Sequence, residues 1–243
     1  GVIWCGADSG VFKIRNGIVS EFHPELAFRG VNSMVEPIDS TVWIGCEPGL
    51  FCYTRQSDRV DAIDIEEPEH AVNAMCADSS GAVWVATFGG NILEIQGKTI
   101  LRRCGTDVEK AKSYHTFNDL TDDGLGNLWA STRSGLLKIS KTNLSQRAIV
   151  HYTTADGLQE NGVRTFLIDR EQNSWIGGST SGLAKLTQST IHRFRVPRSY
   201  LGISGRSAAC DSAGHVWIAA TTGLLEIWRD DRARWHSFRH VTG

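Results

Sequence analysis

The stretch GHVWIAATTGLLEI (Gly214–Ile227) contains a tryptophan, a glycine six residues later, and then a run of alternating apolar residues. A closely similar stretch, GNLWASTRSGLLKI, occurs at Gly126–Ile139. Two looser copies read STVWIGCEPGLFCY and GAVWVATFGGNILEI. A phrase that recurs along one chain usually marks a repeated structural unit.

Six tryptophans define this repeat: Trp4, Trp43, Trp84, Trp129, Trp175 and Trp217. Successive members are 39, 41, 45, 46 and 42 residues apart. A glycine follows six residues after each tryptophan, except in the fifth copy, where Gly182 comes one place later. An aspartate stands six residues before four of them: Asp78, Asp123, Asp169 and Asp211. The unit therefore reads D-x-x-G-x-x-W-[IV]-[GA]-x-x-x-G-[LV], although Gln172 replaces the turn glycine in the fifth copy and Asp39 is out of place in the second.

Each part of the repeat has a physical reason. An aspartate side chain can bond nearby backbone amides and a glycine accepts positive φ, so D-x-x-G predicts a turn. The segment around the tryptophan suits a packed strand, and VFKI, LLKI and LLEI alternate as a third strand with the charged residue outward. Four short strands about every 40 residues, with no helical periodicity, are typical of propeller blades, in which the tryptophan packs between neighbouring blades.

We therefore predict an all-β fold, a β-propeller of tandem four-stranded blades with six visible repeat units. The first unit is incomplete, because no innermost strand fits before Trp4. The sequence is expected to be part of a longer seven-bladed or double propeller. The predicted blades span residues 1–28 (partial), 29–66, 67–107, 108–156, 157–200 and 201–243.

Composition narrows the function classes. The chain has 243 residues, is 41% hydrophobic and 21% charged, and carries a net charge of −2. That charge gives no attraction to nucleic acid or to an anionic membrane surface. No stretch approaches the roughly 18 apolar residues of a membrane-spanning helix.

The six cysteines share no C-x-x-C spacing and lie at unrelated places in the repeats. We expect them to be buried small hydrophobic residues, and only a Cys46–Cys52 bridge across a hairpin is left open. The sequence contains no phosphate-binding glycine loop, G-x-S-x-G or H-E-x-x-H motif. We therefore expect no catalytic site, metal or cofactor in this chain.

A set of polar residues recurs eleven positions before five of the tryptophans. They are Asn32, Asn73, Asn118, Arg164 and Arg206. In a blade whose first strand is innermost, this offset falls near one mouth of the central channel. The turn four residues after each tryptophan should reach the same face, and there it carries Glu47, Phe88 and Arg133 among others. These eight residues are the predicted ligand-binding set, with Tyr114 as a further apolar surface. The alternative is that the amides and guanidiniums only bond the ends of neighbouring strands.

The most specific resemblance to a known family lies in YTTADGLQENGVRTFLIDREQNSWIGGSTSGLAKL (Tyr152–Leu186). Its D-G-L lead-in, V-R strand start, D-R turn and W-I-G strand resemble the two-component regulator propeller repeat, and all six tryptophan-centred units look like it. The resemblance implies the extracytoplasmic, periplasmic sensor region of a bacterial signalling protein. In that family such repeats precede a β-sandwich, a membrane helix and a cytoplasmic histidine kinase or diguanylate cyclase.

We accordingly expect a non-catalytic sensing module that binds a small polar ligand at one channel mouth, with carbohydrate as the class that the resemblance implies. Expected partners are the neighbouring repeats and output domains of the longer chain, with room for a homodimer of the receptor. Two alternatives remain. One is a propeller lyase of the streptogramin-cleaving type, whose G-x-I-W blades GVIWCG resembles, although the histidines here lie mostly on outer strands. The other is a protein-interaction scaffold.

Overall fold

A computed structural model describes residues 2–23, 30–47, 49–66, 71–105, 117–144, 149–180, 182–187, 190–193, 205–211, 213–220, 223–229 and 235–240. The chain divides into two compact units. The first comprises Gly1–Gly124 with Leu144–Gln146, and the second comprises Leu125–Asn143 with Arg147–Gly243. Apart from a 3-10 turn at Thr154–Asp156, the regular structure of the described residues is β.

The strands of the first unit are β1 (Ile3–Ala7), β2 (Gly10–Arg15), β3 (Ile18–Glu21), β4 (Ser33–Val35), β5 (Thr41–Cys46), β6 (Gly49–Thr54), β7 (Arg59–Ile63), β8 (Val72–Ala77), β9 (Val83–Thr87), β10 (Asn91–Gln96), β11 (Thr99–Gly105) and β12 (Phe117–Asp122). The strands β1 to β11 form one three-stranded sheet, β1-β2-β3, and two four-stranded sheets, β4-β5-β6-β7 and β8-β9-β10-β11.

The strands of the second unit are β13 (Asn127–Thr132), β14 (Gly135–Ser140), β15 (Ile149–Tyr152), β16 (Val163–Ile168), β17 (Ser174–Gly178), β18 (Leu183–Thr187), β19 (Thr190–Arg193), β20 (Gly205–Cys210), β21 (Val216–Ala220), β22 (Gly223–Arg229) and β23 (Trp235–His240). Within the sheets β16-β17-β18-β19 and β20-β21-β22-β23, strands that are neighbours in sequence pair antiparallel. Four-stranded antiparallel sheets confirm the predicted blade, and the three-stranded first sheet confirms that the first unit is incomplete.

The D-x-x-G-x-x-W segment forms the turn between the first and second strands of a blade. In the fifth repeat, the Asp169 carboxylate accepts hydrogen bonds from the backbone amides of Glu171 (3.0 Å) and Asn173 (2.8 Å). Its second oxygen accepts the indole N–H of Trp175 at 2.8 Å. The aspartate therefore closes the turn and satisfies a buried tryptophan donor at the same time.

The second repeat reaches the same result by another route. Its aspartate stands four rather than six residues before the tryptophan. Thr41 Oγ1 donates to Asp39 (2.6 Å) and accepts the indole N–H of Trp43 (3.0 Å), so a hydroxyl relays the bond. The displaced aspartate that weakened this copy in the sequence is thus compensated by a threonine.

The repeat tryptophans pack against the following blade. Trp43, which is 2% exposed, lies in one cluster with Val72 and Met75 of the third sheet. The ring of Trp129 stacks on Phe166 of the fifth repeat, with centroids 4.7 Å apart. Trp4 and Trp217 are only half-buried, so the prediction of burial holds for Trp43, Trp84, Trp129 and Trp175 but not at these two positions.

A small residue two places after the tryptophan permits this close packing. A Cβ atom on Gly45 would lie 2.5 Å from Cγ1 of Val72 and 3.1 Å from Cε of Met75, both in the next sheet. A Cβ on Gly6 would lie 2.4 Å from Cγ1 of Val31. At Gly6 and Gly45 the [GA] position therefore needs a residue without a larger side chain, because a valine of the following repeat lies against it.

The charged residue of the third strand is not simply outward, as the alternation predicted. Lys138 and Lys185 stand opposite Trp129 and Trp175 across their strand pairs and are half-buried. Their ammonium groups lie 5.2 Å and 5.5 Å from the centres of those rings. A cation over an indole face is attracted by the ring quadrupole, so the lysine covers the tryptophan instead of leaving it.

All six cysteines are free thiols. The strand register explains why the Cys46–Cys52 bridge does not form, since Cys52 stands opposite Trp43 and Cys46 stands opposite Gly49. The expectation of burial is met at Cys46, Cys52 and Cys104, whereas the other three are partly exposed.

Candidate functional site

In three repeats, the polar position eleven residues before the tryptophan coincides with a β-bulge. In the third repeat, Val72 pairs with Thr87 and Ala74 with Ala86, so Asn73 is left out of the ladder. The same shift skips Arg164 in the fifth repeat and Arg206 in the sixth. A bulge re-aims the extra side chain and leaves its backbone unpaired, and bulges are frequent beside binding sites.

In the second unit, Arg164 is tied to the turn that follows its own tryptophan. Its Nε donates to Ser179 Oγ at 3.1 Å, and Ser179 Oγ donates to the carbonyl oxygen of Gly162 at 3.0 Å. Arg164 is half-buried. The predicted proximity of the −11 and +4 positions is therefore realised in this repeat.

A carboxylate that the sequence analysis missed completes this group. Glu160 accepts the backbone N–H of Thr180 at 2.6 Å and the Thr180 hydroxyl at 2.9 Å. It lies in the lead-in to β16, outside the two repeat offsets, and the only signal for it was the E-N-G that precedes V-R in the sequence. The end of this blade thus presents a guanidinium, a carboxylate and two hydroxyls.

Two other predicted residues belong to the second unit. Arg133 is exposed in the turn between β13 and β14, as the offset from Trp129 requires. Arg206 occupies the bulge of β20, but its side chain lies outside the described residues.

In the first unit, Asn32 has a structural contact. Its Nδ2 donates to the carbonyl oxygen of Val72 at 3.0 Å, which links the second blade to the first strand of the third. Ser33 Oγ accepts the backbone N–H of Met75 at 3.0 Å beside it. This is the strand-end bonding that the sequence analysis gave as the alternative. A ligand-binding role for Asn32 stays a prediction.

Asn73 and Phe88 lie together at the end of the third blade. The backbone N–H of Phe88 donates to the carbonyl oxygen of Ala71 at 2.9 Å, which places it beside the bulge. Phe88 is 44% exposed. The half-buried Asn73 side chain makes no hydrogen bond to any other residue of the described ranges. This end of the third blade therefore carries an exposed ring and an amide that can still donate and accept.

The remaining predicted residues of this unit have different surroundings. Asn118 is half-buried on β12, and Glu47 is exposed in the turn between β5 and β6. Tyr114 lies outside the described residues.

The histidines bear on the lyase alternative. His151 lies on β15, where its Nε2 is 3.1 Å from the carbonyl oxygen of Ser134. His192 and His236 lie on β19 and β23, which are also the last strands of their blades. No group of three or more His, Cys, Asp or Glu in the described residues is arranged to hold a metal ion. Within the same residues, no helix has the length and apolar character needed to cross a membrane.

No protein-family model and no curated protein matches this chain. Solved structures do match it. The extracellular domain of BT3049, assigned to a hybrid two-component system of B. thetaiotaomicron, superposes with a TM-score of 0.75 at 20% identity, over 92% of this chain and 32% of that one. The extracellular domain of BT4673, assigned to a one-component system of the same organism, gives 0.71 at 15% identity, over 100% and 42%. Virginiamycin B lyase from Staphylococcus aureus gives 0.75 at 13% identity, over 99% and 81%.

These likenesses, together with the blades described above, show the fold class to be a β-propeller of tandem four-stranded sheets. The chain spans 32% of the length of one of these two sensor chains and 42% of the length of the other.

Proposed function

We propose that this chain is a non-catalytic, ligand-sensing propeller module of a bacterial signal-transduction receptor on the extracytoplasmic side of the membrane. One observation carries the proposal: the repeat places a polar side chain on a β-bulge at the same point of several blades, namely Asn73, Arg164 and Arg206. A bulge turns the extra side chain out of the ladder, and bulges are over-represented next to active sites. Its recurrence at a polar position favours selection for what the side chain contacts.

The comparisons support the sensing role without defining it. Two of the matching structures are extracellular domains assigned to two-component and one-component systems. The repeat sequence itself resembles the propeller repeats of such receptors. Periplasmic placement and an output through a kinase or cyclase are parts of this proposal and follow from that resemblance.

The chemistry of each unit suits a polar ligand. In the first unit, Asn73 supplies an amide and Phe88 an exposed ring at the same end of the third blade, and these groups suit a sugar with hydroxyls at its edge and an apolar face. In the second unit, Arg164 supplies planar donors suited to hydroxyls or a carboxylate. We propose carbohydrate as the ligand class.

The test is a panel of oligosaccharides, neutral and acidic, measured by calorimetry against the chain and against Asn73→Ala, Phe88→Ala and Arg164→Ala. The expected result is at least tenfold weaker binding for a variant on the contacted blade, with the far-ultraviolet spectrum unchanged. Arg170→Ala is the matched control, because Arg170 follows the same strand β16 at its opposite end. If Arg170→Ala weakens binding as much as Arg164→Ala, or if melting falls instead of binding, the bulge residues are structural.

A lyase is the second candidate, because this chain covers 81% of virginiamycin B lyase in the superposition. Incubation with a streptogramin B antibiotic and a divalent cation, followed by mass spectrometry of the product, separates the two functions. Ring-opened product would support the lyase, and its absence together with oligosaccharide binding would support the sensor. Binding of a partner protein, with no sugar bound and no antibiotic opened, would favour the interaction scaffold.

A further inference from the structure

Three aromatic rings surround the side-chain ammonium of Lys13, which lies on β2 opposite Trp4. The distance from Nζ of Lys13 to the ring centre is 4.7 Å for Trp4, 4.1 Å for Phe22 and 5.0 Å for Tyr53. A cation within about 6 Å of a ring centre is attracted by the quadrupole of that ring. Trp4, Phe22 and Tyr53 therefore form an aromatic cage around a positive charge.

The walls of the aromatic cage come from two neighbouring blades and are packed against one another. The Trp4 and Phe22 rings are 4.9 Å apart at 88°, and the Phe22 and Tyr53 rings are 4.8 Å apart at 73°. Phe22 directly follows β3, whereas Tyr53 lies on β6 of the second sheet in the same compact unit. Phe22 and Tyr53 are 4% and 5% exposed, so packing holds these two walls in place.

The equivalent lysines of two other blades have no such cage. Lys138 and Lys185 stand opposite the tryptophans of their own repeats, as Lys13 does. Within the described part of the chain, each of their ammonium groups lies over a single ring, at 5.2 Å and 5.5 Å. One indole is therefore enough for the structural role of this repeat position, and the two added rings around Lys13 go beyond it.

The primary ammonium of Lys13 fits the aromatic cage poorly. No hydrogen bond or ion pair joins it to any residue that the structure describes. Burial lowers the pKa of the Lys13 ammonium, although attraction by the Asp58 carboxylate acts in the opposite direction. An ammonium is a strongly hydrated charge with three N–H donors, and aromatic rings do not replace the water that it loses.

A quaternary ammonium group suits the same cage better. It has no N–H donor to satisfy and its charge is covered by methyl groups, so it loses less hydration on entering an apolar site. Aromatic faces bind such groups through their quadrupoles. The exposed Asp58 carboxylate accepts the Tyr53 hydroxyl at 2.8 Å and adds a negative charge beside the cage.

Lys13 can leave the aromatic cage at little cost. Its side chain is half-buried and has a flexible four-carbon stem, so the ammonium can turn outward. Leaving the cage breaks no hydrogen bond or ion pair to the described residues. In water the ammonium regains the hydration that the rings exclude.

We propose that the aromatic cage of Trp4, Phe22 and Tyr53 is a second binding site of this chain, for a small ligand that carries a quaternary ammonium group, and that Lys13 competes with the ligand for the cage. The site lies where the first and second blades meet and uses none of the polar residues of the proposed sensing site. It therefore goes beyond the proposed function and stands or falls without it.

The probe is choline, and the control ligand is the neutral alcohol in which a carbon atom replaces the choline nitrogen. Calorimetry on the intact chain should show choline binding, with the neutral alcohol about tenfold weaker because it has the same shape and no charge. Lys13→Ala should bind choline about tenfold more tightly, because the competing cation is gone.

Two further variants separate the aromatic cage from general effects of charge. Lys138→Ala removes the lysine of an equivalent position that has a single ring, and it should leave choline affinity unchanged. Phe22→Leu keeps an apolar side chain and removes one aromatic face, so it should weaken choline binding about tenfold. A melting curve for Phe22→Leu shows whether it is folded, and the comparison of the two ligands on the intact chain does not depend on it.

Four results would overturn the proposal. Equal affinity for choline and the neutral alcohol would show that the charge is not recognised. Tighter choline binding by Lys138→Ala equal to that of Lys13→Ala would show a general effect of removing positive charge. Absence of choline binding to Lys13→Ala would show that the rings hold no ligand, and binding by Lys13→Ala alone would show that the lysine is not displaced.

Discussion

One position in the repeat turns has a left-handed backbone conformation, which glycine adopts more easily than other residues. The fourth residue of D-x-x-G has positive φ in every described copy that conforms: +82° at Gly81, +94° at Gly126 and +84° at Gly214. Gln172 occupies the same place with φ +63°. The left-handed region costs a non-glycine residue roughly 1–2 kcal/mol, so the departure seen in the sequence is a site of strain and not a different turn.

Gln172→Gly is therefore expected to stabilise the chain. Relief of strain outweighs the larger unfolded-state entropy of glycine by about 0.5 kcal/mol. The reverse substitution, Gly126→Gln, is the control, because a Cβ there meets no atom within 4 Å and only the backbone is affected. It should destabilise by about 1 kcal/mol in urea unfolding. A gain from Gly126→Gln would contradict the assignment of strain to this position.

Gly45 tests the close packing between the second and third sheets. Gly45→Ala places a methyl group 2.5 Å from Val72 Cγ1, which is a branched side chain on a paired strand and cannot easily move. Overpacking of this kind costs about 1–3 kcal/mol. The double variant Gly45→Ala/Val72→Ala should recover part of the loss in a chemical denaturation cycle. Additive losses would show that the two sites do not compete for the same space.

At the scale of the element, the turn and the tryptophan strand form one cooperating unit. The sequence predicted the turn and the strand, but it placed the charged residue of the third strand outward and not over the tryptophan ring. It did not predict that the aspartate also accepts the indole N–H, because a spacing of six residues shows proximity only once the turn geometry is known. Thr41 shows the converse, since its relay repairs a copy that looked defective in sequence.

Asp169→Ala should be among the more damaging substitutions in the second unit. The carboxylate is 5% exposed, and its removal leaves the indole N–H of Trp175 and two turn amides without their acceptor. The expected loss is about 2–4 kcal/mol. Trp175→Phe removes only the indole donor, so a double-mutant cycle isolates that bond. If the two losses add without a coupling energy, the indole bond contributes nothing to stability.

Asp211 provides a pH test of the same unit. The indole N–H of Trp217, with the backbone amides of His215 and Ala213, lowers the pKa of this carboxyl below its usual value. A lowered folded pKa gives stability that is present above the unfolded pKa of about 3.9 and lost as pH falls through the folded value. The melting temperature of Asp211→Asn should therefore fall below that of the original chain at pH 6. The difference should shrink below pH 4, and a constant difference would rule out this linkage.

At the scale of the whole molecule, the repetition of one sequence unit explains how much of the fold could be predicted from the sequence. The six copies of the sequence unit predicted the blades, because a departure in one copy, such as Gln172, leaves the pattern of the other copies visible. The bulges at Asn73 and Arg164 could not be predicted, since a one-residue register shift leaves no trace in composition. Glu160 was not predicted for a related reason: it lies in the segment before the first strand of its blade, and the length of that segment varies between repeats. The polar offset was visible, and the geometry that makes it a candidate site was not.

The cysteines give a prediction for the entire chain. All six are free, and burial raises the pKa of the Cys52 and Cys104 thiols, so these react slowly in the folded state. Iodoacetamide should label the partly exposed Cys5, Cys76 and Cys210 first and spare Cys46, Cys52 and Cys104 until the chain unfolds. Mass spectrometry should then count six labels in denaturant without any reductant. Fewer labels, recovered only after reduction, would reveal a disulfide and contradict the register that separates Cys46 from Cys52.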